Sequence, residues 1–182
     1  MFQGRSRGDL IGPWAPNVAR RFGDAAVTRV RHRLPPPLAG IAGVLGADDW
    51  LPVGAQLLLT EAIADECLGG NLRGLQAPIL EDTRAGLGRM RLLALRALGP
   101  GRAIAIAQRD FPKVHERGAV EVELGTHRAL LVFRGTPLFL HPTWRLLQLY
   151  GLATLLELTG TPAGTVSGEE LDGEGFAATA CW

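Results

Sequence analysis

RALLVFRGTPLFLHPTWRLLQLYGLATLLELTG, residues 128–160, is the stretch on which the fold turns. It holds four of the chain's eleven aromatic residues, Phe133, Phe139, Trp144 and Tyr150, and only four charged side chains. A membrane-spanning helix needs about 20 predominantly apolar residues. Here Arg134, Arg145 and Glu157, with Pro137 and Pro142, cut the stretch into shorter runs. It reads as a strand feeding a helix of a folded domain, and no membrane partner is expected. Pro142 opens the helix TWRLLQLYGLATLLELT and Gly160 stops it. At about 100° per residue, its leucines and Tyr150 occupy nearly every direction. Such a helix must be covered on most sides: by a sheet on one, and by N-terminal helices, an apolar ligand or a second subunit on the other.

Outward from that helix, Ala119 to Leu124 alternate as AVEVEL, which predicts a half-buried strand with Val120, Val122 and Leu124 on its inner face. Gly125-Thr126 turns the chain, and His127 to Phe133 follows as the hairpin partner. Downstream, 163–167 and 176–182 read as strands around an acidic turn, Glu169 to Glu174. Residues 118–182 therefore form a β-β-α-β-β portion with a four-stranded, mainly antiparallel sheet. Residues 1–117 form a helical portion, and the class is α+β in one compact domain.

The helical portion carries its own punctuation. Asp24 is placed to cap AAVTRVRHRL, and the triple proline Pro35 to Pro37 stops it. Pro52 is placed as the first residue of PVGAQLLLTEAIADECL, with Leu58, Ala62 and Ile63 in its apolar stripe and Gly69-Gly70 ending it. Residues 71–98 predict two helices, broken at Pro78 or at Gly86 and Gly88. Gly99-Pro100-Gly101 ends the second, and a further helix runs from Arg102 to about Glu116 unless Pro112 ends it early.

Composition narrows the function. The 182 residues carry a net charge of +1, far from the basic balance that neutralises many phosphates, so no nucleic-acid partner is expected. Of 19 basic residues only Lys113 is not arginine, as a GC-rich genome would give. Cys67 and Cys181, the only cysteines, show no ligand spacing and read as reduced, mostly buried thiols. MFQGRSRGDLIG has no uninterrupted apolar run for a secretory signal, and the cytoplasm is expected.

No reaction is declared. Ser6, near an N-terminus expected to fray, and Ser167 lack a GxSxG context. There is no GxxxxGK, and Gly86-Leu87-Gly88 follows a helix and lacks the third glycine of a dinucleotide fingerprint. His32, His115, His127 and His141 form no local metal pair. His115 reads as a helix-end residue, His127 as a hairpin edge and His141 as the helix entrance. Arg29, Arg31, His32 and Arg33 read as a helix surface or partner patch. No catalytic set, metal or cofactor is assigned, although a site assembled only by the fold would leave no local motif.

WLPVGAQLLLTEAIAD, LRALGPGRAIAIAQRDFP, the LLVFRG strand and the terminal strand closing on Trp182 resemble a paralogous family of myxobacterial proteins of about this length. The order of helices followed by β-β-α-β-β also resembles the haem-based nitric-oxide/oxygen sensor domains and the vinyl-reductase-like small-molecule-binding domains. That second resemblance implies a ligand pocket between the helical part and the sheet. In the haem domains it further implies a proximal histidine on a helix well upstream of the first strand, and Tyr-x-Ser-x-Arg on the second. This chain departs from both: its second strand reads Leu131-Val132-Phe133-Arg134, and His115 lies only a few residues before the first strand.

The expected function is a non-enzymatic sensory or ligand-binding module with an apolar small-molecule partner. Phe133, Phe139, Trp144 and Tyr150 would line its wall, with Arg134, His141 and Arg145 as the few polar groups. The alternative is a self-associating scaffold, a homo-oligomer or protein-interaction module whose apolar helix is completed by another chain. A haem-based gas sensor is the third reading.

Overall fold

Three residues of strand, Arg5–Arg7 (β1), are held by antiparallel pairing to Trp50–Pro52 (β2), far along the chain. The computed structural model describes residues 3–173 and 175–182. The chain divides into two compact units, the first running to Leu75 and including Val114–Glu116, the second comprising Gln76–Lys113 and Arg117–Trp182.

In the first unit, Trp14–Phe22 (α1) and Asp24–Arg33 (α2) are separated by Gly23 at φ 83°. Asp24 does not cap α2 with its side chain; it is the first helical residue, where its charge favours the positive end of the helix. The triple proline does not only stop α2, because Pro36–Ala39 (α3) starts there, proline being suited to a first helical turn. Val53–Leu68 (α4) begins one residue after Pro52 and ends at Gly69, whose left-handed φ of 61° closes the C-terminus onto the Ala64 carbonyl. Its buried stripe runs through Ala55, Leu59 and Ala62, whereas Leu58 is exposed. These residues pack with Trp14, Val18 and Val30 into the unit's core. The basic set on α2 is a paired helix surface: Arg29 meets Glu66 at 3.4 Å and Arg33 meets Asp65 at 3.1 Å.

Two polar residues of this unit are more enclosed than expected. Ser6 is buried in β1, and its partner across an isolated antiparallel bridge is His115, also buried and so no solvated helix end. Burial pushes the His115 imidazole down to about 4. Because the folded value lies below the unfolded value of 6.5, the unfolded chain binds more protons between the two. The stability tied to neutral His115 is complete above pH 6.5 and is lost as pH falls through about 4. About 3 kcal/mol should disappear over that window in urea unfolding. His115→Gln should flatten this component of the pH profile, and an identical profile in the variant would show that His115 carries no such linkage.

The second unit begins with Gln76–Val114 (α5), which is three rods end to end. Non-helical backbone at Gly88 (φ 67°, ψ 165°) and Gly99 (φ 70°, ψ 168°) separates them. The break therefore falls at Gly88, and Pro78 sits in the first turn without cost. Pro112 is accommodated two residues before the end. Ala119–Leu124 (β3) and Arg128–Arg134 (β4) form the expected hairpin. Val120 is buried but Leu124 is 48% exposed, because β3 is an edge strand and leaves the core at its far end. Pro142–Leu158 (α6) follows, with Pro142 at its first position and His141 before it.

Thr165–Leu171 (β5) and Gly175–Cys181 (β6) complete the sheet in the order β3-β4-β6-β5, every neighbour antiparallel. The α+β class and the four-stranded sheet are as expected. The acidic segment is different: Glu169 and Glu170 pair within β5, and the reversal is narrowed to the residues around Asp172 and Gly173, with Glu174 outside the described residues. Along α6 only Pro142 and Gly151 are exposed, and Leu149 and Leu156 lie close to Gly168 and Gly164 beside the sheet.

Candidate functional site

Alternation along β4 puts Ala129, Leu131 and Phe133 on the buried face. Register then places Phe133 directly opposite Phe176 of β6. The two rings stack at 5.8 Å. After β4, Thr136 caps a single tight turn, Pro137–Leu140, by accepting the Leu138 N–H, and that turn delivers Phe139 to the same place. Trp144, in the first turn of α6, closes over both. Its ring centroid is 5.1 Å from Phe133 and 4.4 Å from Phe139. Phe111, on the last rod of α5, meets Phe133 and Phe139 edge-on at 6.3 and 6.1 Å.

The result is a five-ring cluster built from four elements and one turn of the second unit. Phe139 is fully buried and Trp144 is 1% exposed. Edge-to-face and offset pairs of this kind add about 0.5–1.5 kcal/mol each beyond area burial. One polar atom inside it has no counterpart: the Trp144 Nε1 donor is buried without a hydrogen-bond partner among the described residues. Thr154 Oγ1, further along α6, is in the same position.

Three of the seven expected site residues, Phe133, Phe139 and Trp144, are thus brought together. Arg134 ends β4 and is exposed. Arg145 is drawn to β5, where its guanidinium meets Glu170 at 2.6 Å. His141 is the residue from which α6 starts. Tyr150 is buried on α6, but six residues from Trp144, or about 600°, puts it on another face. Phe111 and Phe176 complete the cluster and were not among the expected residues. The signal for Phe111 is an aromatic three residues before the end of a helix, and for Phe176 an aromatic opening a strand; neither identifies the partner.

The cysteines are free and half-buried, and burial pushes the Cys67 thiol up, away from a reactive thiolate. Among the described residues there is no group of three or more side chains suited to holding a metal ion. No helix among the described residues is long and apolar enough to cross a membrane.

This arrangement of helices and sheet recurs in solved structures. An Fe(II) unliganded H-NOX protein from K. algicida superposes with a TM-score of 0.59 at 12% identity, covering 93% of this chain and 92% of that one. The fold is H-NOX-like. A second H-NOX structure, from work on haem distortion in that family, gives 0.54 at 10% identity over 97% and 94% of the two chains. A third, from work on haem redox potential and porphyrin distortion, gives 0.52 at 9% over 97% and 99%. No family model matches the chain, and no curated protein does.

The H-NOX-like fold raises haem as a cofactor, and the residues do not fit it. Haem iron requires an axial His, Cys, Met or Tyr. The last rod of α5, which precedes β3, has none; its buried side chains are Ala103, Ile104 and Phe111. His115 follows that rod in sequence, but it lies in the first unit, its backbone bridging to Ser6. On β4 the buried positions are Ala129, Leu131 and Phe133, with nothing to hold a propionate.

Proposed function

We propose that this chain is a cytoplasmic, non-enzymatic sensory module that binds an apolar small molecule against the aromatic cluster around Trp144. The observation that supports it is the stranded indole N–H. A buried donor left unmade costs about 1–3 kcal/mol, and phenylalanine would fill nearly the same volume without it. A ligand with flat apolar surface and one acceptor atom recovers that cost while stacking on Phe133 and Phe139. Arg134, His141, Arg145 and Tyr150 are the groups around which the ligand's remaining contacts would form. The H-NOX-like fold supports the same class, since the solved relatives in shape are haem proteins by their descriptions. Haem itself is not the ligand proposed. Kinship with the myxobacterial paralogous family rests on the four sequence motifs alone.

Native mass spectrometry with light scattering, on protein purified from its natural source, tests the reading. The expected result is a monomer carrying a small-molecule mass that Trp144→Phe loses, while the ligand-free variant unfolds at the same temperature or higher. A monomer with no added mass overturns the proposal. A dimer with no added mass also overturns it, in favour of self-association. Hemin added to the purified protein should keep the broad absorption of free hemin, with no sharpened, shifted Soret band.

A further inference from the structure

From Thr83 to Arg109 the chain contains six arginines and no acidic residue. A net charge of +1 for the whole chain leaves the remainder at −5, as 1 − 6. The middle rod of α5, between the breaks at Gly88 and Gly99, reads RMRLLALRAL. Not one of its residues is buried. On a wheel of about 100° per residue, Leu92, Leu95 and Leu98 share the half-buried side. Met90, Leu93, Ala94 and Ala97 share the opposite one, where Met90 is 81% and Leu93 60% exposed. Arg89 and Arg96 flank that ridge one heptad apart and are exposed.

Arg84 and Arg109, at the two ends of this stretch, have carboxylate partners, as do Arg5, Arg7, Arg29, Arg33 and Arg145 in the rest of the chain. Among the described residues, no ion pair engages Arg89, Arg91, Arg96 or Arg102. Unpaired guanidinium groups beside a bare methionine and leucine make a surface that is cationic and apolar together.

We propose that the middle rod of α5 docks on an anionic phospholipid surface, lying in the interface with Met90 and Leu93 inserted and Arg89 and Arg96 among the headgroups. No helix among the described residues is long and apolar enough to span a bilayer, so the contact is interfacial. Basic amphipathic helices bind by combining buried apolar area with attraction to anionic lipid. The exposed apolar ridge favours lipid over nucleic acid, whose phosphates would engage the arginines but leave Met90 and Leu93 in water. The lack of any acidic residue across 27 positions favours a diffuse negative surface over a patterned protein groove.

Sedimentation of the full chain with vesicles tests this directly. The protein should pellet with vesicles of phosphatidylserine and phosphatidylcholine and stay in solution with phosphatidylcholine alone, and added salt should release it. Each arginine near such a surface contributes about fivefold, so the Arg89→Gln, Arg96→Gln double variant should bind about 25-fold more weakly. Leu93→Ser should weaken binding about fivefold without changing its salt dependence. All three positions are exposed, and circular dichroism and unfolding temperature should match the parent. Equal partitioning to both vesicles, no partitioning to either, or full binding by the double variant would each overturn the proposal. Retention on a polyglutamate matrix without vesicle binding would also overturn it and assign the ridge to an acidic protein.

Discussion

Phe139→Ala should lower the unfolding free energy by about 4 kcal/mol, within the range of about 3–5 found when a buried phenylalanine is truncated. The side chain has no exposed surface and touches Phe111, Phe133 and Trp144 at ring distances of 6.1, 5.8 and 4.4 Å. Removing it leaves a void bounded by three rings. Rings cannot collapse into such a space without breaking their own edge-to-face geometry, so the cavity term should be near its upper end. Equilibrium unfolding in urea measures the loss, and a change below about 1 kcal/mol would mean that the cluster closes readily over the gap. Trp144→Phe is the informative contrast, because it conserves most of the volume while deleting the unpartnered Nε1 donor. The two variants together separate shape from polarity in one cluster.

Gly118→Val should cost a similar amount, roughly 4 kcal/mol, by the opposite mechanism. A Cβ at this position would stand 2.3 Å from Phe139 Cζ, and the backbone is at φ +90°. A left-handed conformation costs an L-residue about 1–2 kcal/mol, and forcing atoms into a packed core costs about 1–3 more. A branched side chain has no rotamer that avoids the ring. The same measurement applies, with the unfolding slope as a control for a native state that has merely loosened. If Gly118→Val unfolds like the parent, the chain reversal ahead of β3 does not press on Phe139 as described. Gly118→Ala should lie between the two, since it retains the backbone strain and only part of the overlap.

Much of the second unit was legible because its elements are local. AVEVEL has the period of a strand, a two-residue turn joins it to its hairpin partner, and Pro142 and Gly160 bracket α6; each rests on contacts between near neighbours in the chain. The feature that builds the candidate site is not local. β6 enters between β4 and β5, so Phe133 faces Phe176 across a sequence separation of 43, as 176 − 133, and no periodicity encodes that choice. Phe139, Trp144 and Phe133 could be read as a group because they are close in sequence. Phe111 and Phe176 could not.

In the first unit, tertiary pairing overrides the local pattern. Ser6 and His115 looked peripheral because each is flanked by polar residues and glycine, yet tertiary pairing of β1 with β2 encloses them. In α4 the run of three leucines, Leu57 to Leu59, hides which face is inner, so Leu58 reads as part of the apolar stripe although the packing stripe is carried by Ala55, Leu59 and Ala62. In the second unit, the salt bridge of Arg145 to Glu170 ties α6 to a strand that follows it in the chain, a pairing that no local pattern encodes.

The position of β6 has a consequence for how the chain is made. Strand β4 can pair with β3 as soon as their hairpin leaves the ribosome, but its other edge must wait for residues 175–181. Throughout synthesis of α6 and β5, the edge carrying Leu131 and Phe133 is an open template for any other nascent strand. Ordering of the aromatic cluster is therefore a late event of biogenesis, and a chaperone that shields this edge would raise the yield of folded protein more than one that assists the helices.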